Sequence, residues 1–267
     1  MSGTDQTAAA LYRAGKLDDA IAAAQAALRK APTDLNARVL LGELLAFSGN
    51  LERADVVLDA ASAIDPTTAL VVAEFRQLIR ADTARRQLFR DGRVPEFLSE
   101  PTETQRLQLA ALVALRSGDL AEAARQAEAA EAVRPHVPGR HGDTVFDDWR
   151  DADDLLAGSF EVLTTTGKYY WIPTERVETL EFHAPKRPRD LLWRRVSMSV
   201  NAGPDGDVYI PAVYASDEPM TDALRLGRET DWKEAEGAPV RGLGQRLFMV
   251  GEDAIALMDL GNVRFGA

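Results

Sequence analysis

The sequence predicts a two-domain α+β protein, in which an all-helical repeat is followed by a compact domain with a mostly antiparallel sheet. A pattern of glycine, alanine and proline recurs through the first half of the 267-residue chain. In the second half it gives way to short runs of alternating apolar and polar residues, separated by turn residues. We therefore assign residues 1–135 to the repeat, residues 136–158 to a linker with a short acidic helix, and residues 159–267 to the α+β domain.

The repeat is visible as three copies that begin at Gly15, Gly49 and Gly118, each followed by alanines and a proline at matching spacings. The first two glycines lie 34 residues apart (49 − 15), which is the period of tetratricopeptide helix pairs. In such a pair the glycine ends the first helix and the proline stops the second. Between the second and third copies, residues 69–89 are predicted to form the long helix of a degenerate copy, which ends at residues 91–92.

Stacked helix pairs leave a concave face that is lined by the first helix of each pair and that commonly binds peptides. The helical phase places eight side chains on this face: Tyr12, Asn36, Val39, Glu43, Phe47, Gln105, Gln108 and Leu112. We predict that they form a peptide-binding groove. Packing in the core is the alternative for each of them, most clearly for Tyr12 and Phe47.

Strand-like alternation begins after Gly158. The predicted strands are residues 160–163, 169–172, 177–182, 195–200, 207–214, 247–250 and 255–265. Short helices are predicted at residues 188–192 and 220–224. Between the two domains, the acidic stretch 143–154 contains Phe146 and Trp149, and we predict that it forms a short helix that docks by one face.

Composition excludes several classes of function. The chain has no cysteine, so disulfides, thiolate nucleophiles and cysteine-bound zinc are absent. A net charge of −11 disfavours nucleic acid and anionic membranes, and favours a basic or apolar protein partner. No apolar run approaches the roughly 20 residues that span a bilayer, and no signal peptide is evident. We expect a soluble cytoplasmic protein without membrane insertion.

The sequence contains no recognisable catalytic set. His136 and His141 lie near Asp143, but a linker rich in proline and glycine does not orient metal ligands. Residues 242–244 hold two glycines without the third glycine or the βαβ context of a nucleotide loop, and a turn explains them better. We predict a non-enzymatic protein without metal or cofactor. A hydrolase or metal enzyme in the second domain is the less favoured alternative.

A second candidate surface lies in the α+β domain, where arginine and tryptophan occur together. Both residue types are enriched at the energetic centres of protein interfaces. We assign Trp171 and Trp193 to the core, and propose Arg228, Asp231 and Trp232 as an interface. Core packing is the alternative for these three.

Five phrases in this domain resemble the ImpE/TagJ family. They are residues 169–173, 189–193, 208–214, 226–232 and 242–246, which read YYWIP, RDLLW, VYIPAVY, LGRETDW and GLGQR. Members of that family begin with tetratricopeptide-like helices and serve as accessory proteins of bacterial type VI secretion systems. The resemblance implies binding to the N-terminal helix of the small sheath subunit TssB, and an indirect link to the ClpV ATPase. It assigns no catalytic residue. The alternative is a general repeat scaffold or chaperone for another protein.

Overall fold

The computed structural model describes residues 7–233 and 235–266, and its first half is helical. The helices are α1 (Ala8–Arg13), α2 (Leu17–Lys30), α3 (Leu35–Phe47), α4 (Leu51–Ile64), α5 (Ala69–Asp91), α6 (Glu103–Arg116) and α7 (Leu120–Val133). They pack as neighbouring antiparallel pairs along the chain, with α1 on α2, α3 on α4 and α6 on α7. The predicted helical repeat is therefore confirmed.

Glycine ends the first helix of each pair, as the repeat pattern predicts. Gly15, Gly49 and Gly118 have φ angles of 77°, 77° and 82°, a left-handed conformation in which residues with a Cβ are strained. The long helix α5 ends in the same way at Gly92, with φ 80°. This agrees with the single long helix predicted for the degenerate copy.

The second half is built from strands, with short helical turns between some of them. The strands are β1 (Gly139–His141), β2 (Thr144–Phe146), β3 (Trp149–Asp151), β4 (Ser159–Leu163), β5 (Tyr169–Pro173), β6 (Val177–Phe182), β7 (Trp193–Val200), β8 (Gly206–Pro211), β9 (Thr230–Lys233), β10 (Arg241–Gly244), β11 (Leu247–Val250), β12 (Asp253–Ala256) and β13 (Asn262–Phe265). A 3₁₀ turn at Pro188–Leu191 and the helix α8 (Asp222–Arg225) match the two short helices predicted in this half.

The strands form one large and two small sheets. The large sheet has the order β2-β1-β13-β6-β7-β8-β4-β5, while β12-β11-β3 and β10-β9 form the small ones. Neighbouring strands pair antiparallel throughout these sheets, which confirms the predicted architecture. The loop after α5 covers the β5 edge, because the Glu96 amide donates to the Tyr169 carbonyl oxygen at 2.9 Å.

The predicted acidic helix is wrong. Residues 136–158 instead contain β1, β2 and β3. In β3, Trp149 and Asp151 are buried on either side of a half-buried Arg150, which is the two-residue period of a strand. Asp151 and Asp153 are buried and pair with arginines from a distant segment, so the acidic run is not the solvated face of a helix.

Two further expectations needed correction. The last predicted strand, residues 255–265, is interrupted by a 3₁₀ turn at Leu257–Asp259, so that β12 and β13 belong to different sheets. Residues 242–244, expected in a turn, lie in β10, and β9 was not predicted.

One hydrophobic core joins the helices to the sheet domain. It contains Leu44 and Phe75 from the helices together with Trp171 and Trp193 from the sheet. Trp171 and Trp193 are therefore core residues, as predicted. A second core lies within the sheet domain around Trp149. The two halves of the chain consequently pack as one body, and this packing decides which surfaces stay open.

Candidate protein-binding surfaces

The sheet domain covers much of the predicted concave groove. Gln105, Gln108 and Leu112 on α6 are fully buried. The Gln105 side-chain amide donates to Ser159 Oγ at 3.2 Å and to the Trp171 carbonyl oxygen at 3.3 Å. These polar positions, which helical phase assigned to a peptide, are therefore bonded within the chain.

The end of α3 is closed in the same manner. Phe47 is buried, and its ring lies 5.8 Å from that of Tyr12. Glu43 is buried, with its Oε1 3.5 Å from Arg187 Nε. Burial raises the pKa of Glu43 to about 6, although Arg187 and Arg189 oppose the shift. Glu43 and Phe47 thus join the three α6 residues as buried side chains, which leaves them little surface for contact with a peptide.

The remaining groove candidates lie towards the N-terminal end of the repeat. Asn36 is exposed, whereas Val39 and Tyr12 are half-buried. Burial raises the pKa of Tyr12 to about 12. The guanidinium of Arg228 lies 5.7 Å from the centre of the Tyr12 ring. Even this part of the predicted groove is therefore partly occupied by the second half of the chain.

Arg228 holds the two halves together. Its Nη2 donates to the Tyr12 carbonyl oxygen at 2.6 Å, and its Nη1 donates to that of Arg13 at 3.1 Å. One helical turn earlier, Arg225 pairs with Asp18 at 3.1 Å. The structure thus uses Arg228 at an internal contact, and separates it in role from Trp232, with which the sequence had grouped it.

Trp232 lies in β9 and is half-buried, beside an exposed Asp231. Its ring centre is 6.3 Å from that of Tyr214. The Tyr214 ring fits there because the strand opposite carries Gly242, where a Cβ would lie 2.2 Å from a Tyr214 ring carbon. The Trp232 amide donates to Asp231 Oδ1 at 2.9 Å. Trp232 therefore packs against the buried Tyr214 ring with one part of its side chain, and the rest stays accessible to solvent.

A groove opens beside Trp232, with a volume of about 480 Å³. Its apolar lining comprises Ala152, Trp232, Val240 and Met249. A smaller depression of about 190 Å³ shares Arg150 with it and continues along α7. We call these two cavities together the Trp232 groove.

Another groove, of about 870 Å³, lies between the start of α4 and the exposed side of α5. It is lined by four arginines: Arg80, Arg86, Arg90 and Arg93. Arg86 pairs with Asp82 and Arg90 with Asp91, so part of this positive charge is already neutralised within the chain.

Sequence reasoning missed a buried charge network that links α5 to the sheet domain. Both Nε and Nη2 of Arg85 donate to the Glu161 carboxylate at 2.9 Å, and Tyr169 donates to the same carboxylate at 2.5 Å. Arg246 bonds Glu161 and also pairs with Asp151 at 3.0 Å. The local sequence pattern does not predict this network, because its members come from segments far apart in the chain.

The network sets opposite pKa shifts in its two carboxylates. Burial alone would raise the pKa of Glu161, but the charges of Arg85 and Arg246 outweigh it and lower the pKa to about 2. At Asp151 burial outweighs the opposing charge of Arg246, and the nearby Asp153 adds to the shift, so that the pKa of Asp151 rises to about 6. These carboxylates are fully buried and hydrogen-bonded, which favours a structural role over contact with a substrate.

Within residues 7–233 and 235–266, no group of three or more histidine, aspartate or glutamate side chains has the arrangement of a metal site. In the same residues, no helix has the length and apolar character needed to cross a membrane.

Comparison with known proteins assigns the chain to a family. A tetratricopeptide-repeat model matches residues 11–74, and a model described as ImpE protein matches residues 143–264. A Pseudomonas aeruginosa protein named type VI secretion system accessory component TagJ is 36% identical over 258 residues, covering 96% of this chain and 89% of that protein. The chain belongs to the ImpE/TagJ family. The family resemblance of the second-half phrases is thereby confirmed.

A solved structure shows the same arrangement as this ImpE/TagJ chain. The crystal structure of a Vibrio parahaemolyticus protein matches it with a TM-score of 0.90 at 30% identity, covering 96% of each chain. The match extends over both halves, so the packing of helices against the sheet domain is common to the two proteins.

Proposed function

We propose that this chain is a non-enzymatic adaptor of a bacterial type VI secretion system. It binds the N-terminal helix of the small sheath subunit TssB, and through the sheath it is linked to assembly or to ClpV-dependent disassembly. We propose a cytoplasmic location for it, beside the sheath. The observation that carries the proposal is the 36% identity to TagJ over 96% of this chain.

The structure supports binding rather than catalysis. The buried carboxylates of Glu161 and Asp151 are hydrogen-bonded to arginines and tyrosines, and neither of them lines the grooves described above. Grooves on the surface, in contrast, are of the kind that accept a helix from a partner. A general scaffold or chaperone for a different protein is the second candidate, favoured by the tetratricopeptide match at residues 11–74.

Co-purification separates these candidates. Full-length chain is mixed with TssB from the same genome, and in parallel with TssB that lacks its N-terminal helix. We expect capture of intact TssB and loss of capture without the helix. Equal capture of both forms would show that the helix is not the binding element. If the chain is folded and captures neither form of TssB, the second candidate, a scaffold or chaperone for a different protein, would be favoured.

A further inference from the structure

The Trp232 groove lies between the last helix of the repeat and the sheet domain. One wall is the last repeat helix, α7, which contributes Ala124 and Ala127. The other walls are β9 and the strands β3 and β11, which contribute Trp232 and Met249. Because helix and strands form the walls, the groove is already shaped before a partner arrives.

The floor of the groove is apolar and partly open to solvent. Trp232, Val240 and Met249 are each half-buried, so that a partner could cover them further. Tryptophan is among the residues most enriched at the energetic centres of interfaces, and methionine adapts its shape to a partner side chain. Such a floor fits a row of apolar side chains.

The rim of the groove is acidic. Its carboxylates are Glu128, Glu131, Asp148 and Asp154. Arg150 is the basic residue in the same lining, and it pairs with Asp154 at 2.8 Å and Glu131 at 3.5 Å. Arg134 lies beneath the rim with 3% of its side chain exposed, and it bonds Glu131 and Asp148. Counting both arginines, four carboxylates face two guanidiniums.

Glu128 differs from the other three rim carboxylates, each of which pairs with Arg134 or Arg150. It is exposed on α7. Asp148 is ionised at physiological pH. Burial would raise the pKa of Asp148, but hydrogen bonds from Arg134 and from the Val137 amide lower it to about 2. The rim therefore attracts cations, in keeping with the net charge of −11.

The groove suits a helix better than an added strand. A strand docking on β9 would need free backbone donors along that edge. The Trp232 amide already donates to Asp231 Oδ1. A helix satisfies its own backbone groups and presents only side chains to the groove.

We infer that the Trp232 groove binds a basic amphipathic helix of a partner protein. The apolar face of the helix covers Trp232 and Met249, and its lysines or arginines pair with the rim at Glu128 and Asp154. This inference rests on the proposed function for the origin of the helix in the sheath subunit. It adds the surface that binds and the charge that the helix must carry.

Fluorescence measures occupancy of the groove directly. Of the chain's four tryptophans, Trp149, Trp171 and Trp193 are fully buried, whereas Trp232 is half-buried. Acrylamide quenching of the full chain should therefore report chiefly on Trp232. Adding a synthetic helical peptide of leucine and lysine is expected to protect the fluorescence from quenching. A leucine–glutamate helix of the same pattern is expected to give no protection. Equal protection by both, or by neither, would overturn the inference.

Variants locate the site with the TssB N-terminal helix as a labelled probe. Trp232→Ala is expected to weaken binding by about 30-fold, the size of a typical interface hot spot. Glu128→Lys, which leaves the apolar floor intact, is expected to weaken it by up to about fivefold. Leu70→Ala is the control, since Leu70 is 81% exposed on α5, outside the groove, and it should bind as wild type does.

The outcomes distinguish this inference from the proposed function. If wild type binds the helix and both groove variants bind equally well, the groove is not the site, but the adaptor function stands. If wild type does not bind the sheath helix, the proposed function fails, and protection by the leucine–lysine helix alone then tests the groove. Self-association that Trp232→Ala abolishes would mean that the groove holds a second copy of the chain, and would overturn the inference.

Discussion

Replacing Glu161 with glutamine is expected to lower the free energy of unfolding by about 3–5 kcal/mol, the usual cost of removing one member of a buried ion pair. Glutamine keeps the shape of the side chain but removes the charge that faces Arg85 and Arg246. The buried guanidiniums of Arg85 and Arg246 would then lose one of the negative charges that stabilise them. Urea denaturation of both proteins, followed by circular dichroism, measures the difference.

The effect should depend on pH in a defined direction. The pKa of Glu161 falls from 4.5 to about 2 on folding, so the folded state prefers the ionised form. Its contribution is therefore complete above pH 4.5 and is lost as pH falls through about 2. We expect the gap between wild type and Glu161→Gln to be full at neutral pH and to shrink below pH 4.5.

A matched variant controls for the loss of a carboxylate. Glu181 lies exposed on β6 of the same sheet. Glu181→Gln should change the unfolding free energy by less than about 0.5 kcal/mol, as surface substitutions usually do. Equal losses for the two variants would contradict a special role for the buried network.

Phe75→Ala is expected to cost about 3–5 kcal/mol of unfolding free energy, because it empties a buried aromatic site. Phe75 lies on α5, where its ring makes an edge contact with Trp193 at 5.8 Å. The Arg189 guanidinium covers it at 5.0 Å. The ring thus occupies the centre of the contact between helices and sheet domain, and urea denaturation again measures the loss.

Val71→Ala supplies the comparison on the same helix. Val71 is exposed one turn before Phe75, so its removal should alter the unfolding free energy by less than about 0.5 kcal/mol. A small loss for Phe75→Ala as well, below about 1 kcal/mol, would mean that the helices do not depend on this contact.

Local patterns predicted much of the fold. The repeat can be recognised from single residues that determine the conformation of the adjacent backbone. Gly49, for example, adopts the left-handed conformation that ends its helix, whatever segment packs against it. Strands such as β6 and β11 were also visible, because alternation between faces is a property of the strand itself. In both cases the signal and its consequence lie within a few residues.

Long-range packing could not be predicted in this way. Gln105 sits where a repeat usually meets its peptide, yet Ser159 takes its hydrogen bond. Asp151 and Asp153 belong to an acidic run, yet their partners Arg246 and Arg241 lie 95 and 88 residues away. Periodicity shows that a face is buried or polar, but not which distant segment will cover it. For this reason the sequence pattern did not reveal that the sheet domain covers the concave face.

Because the sheet domain covers the concave face of the repeat, the surfaces open to a partner lie elsewhere on the molecule. Where the sheet domain covers the helices, a partner has no access without separating the two halves. The Trp232 groove remains open beside the last repeat helix, and its apolar floor and acidic rim are built from both halves. Binding there needs the packed arrangement that Glu161 and Phe75 maintain.

Calorimetric titration of the full chain with a peptide copying the TssB N-terminal helix tests the adaptor function most directly. At low salt we predict one peptide bound per chain, with an affinity that falls as salt rises because acidic and basic groups meet. Absence of binding at low salt, with a peptide shown to be helical and a folded chain, would contradict the account.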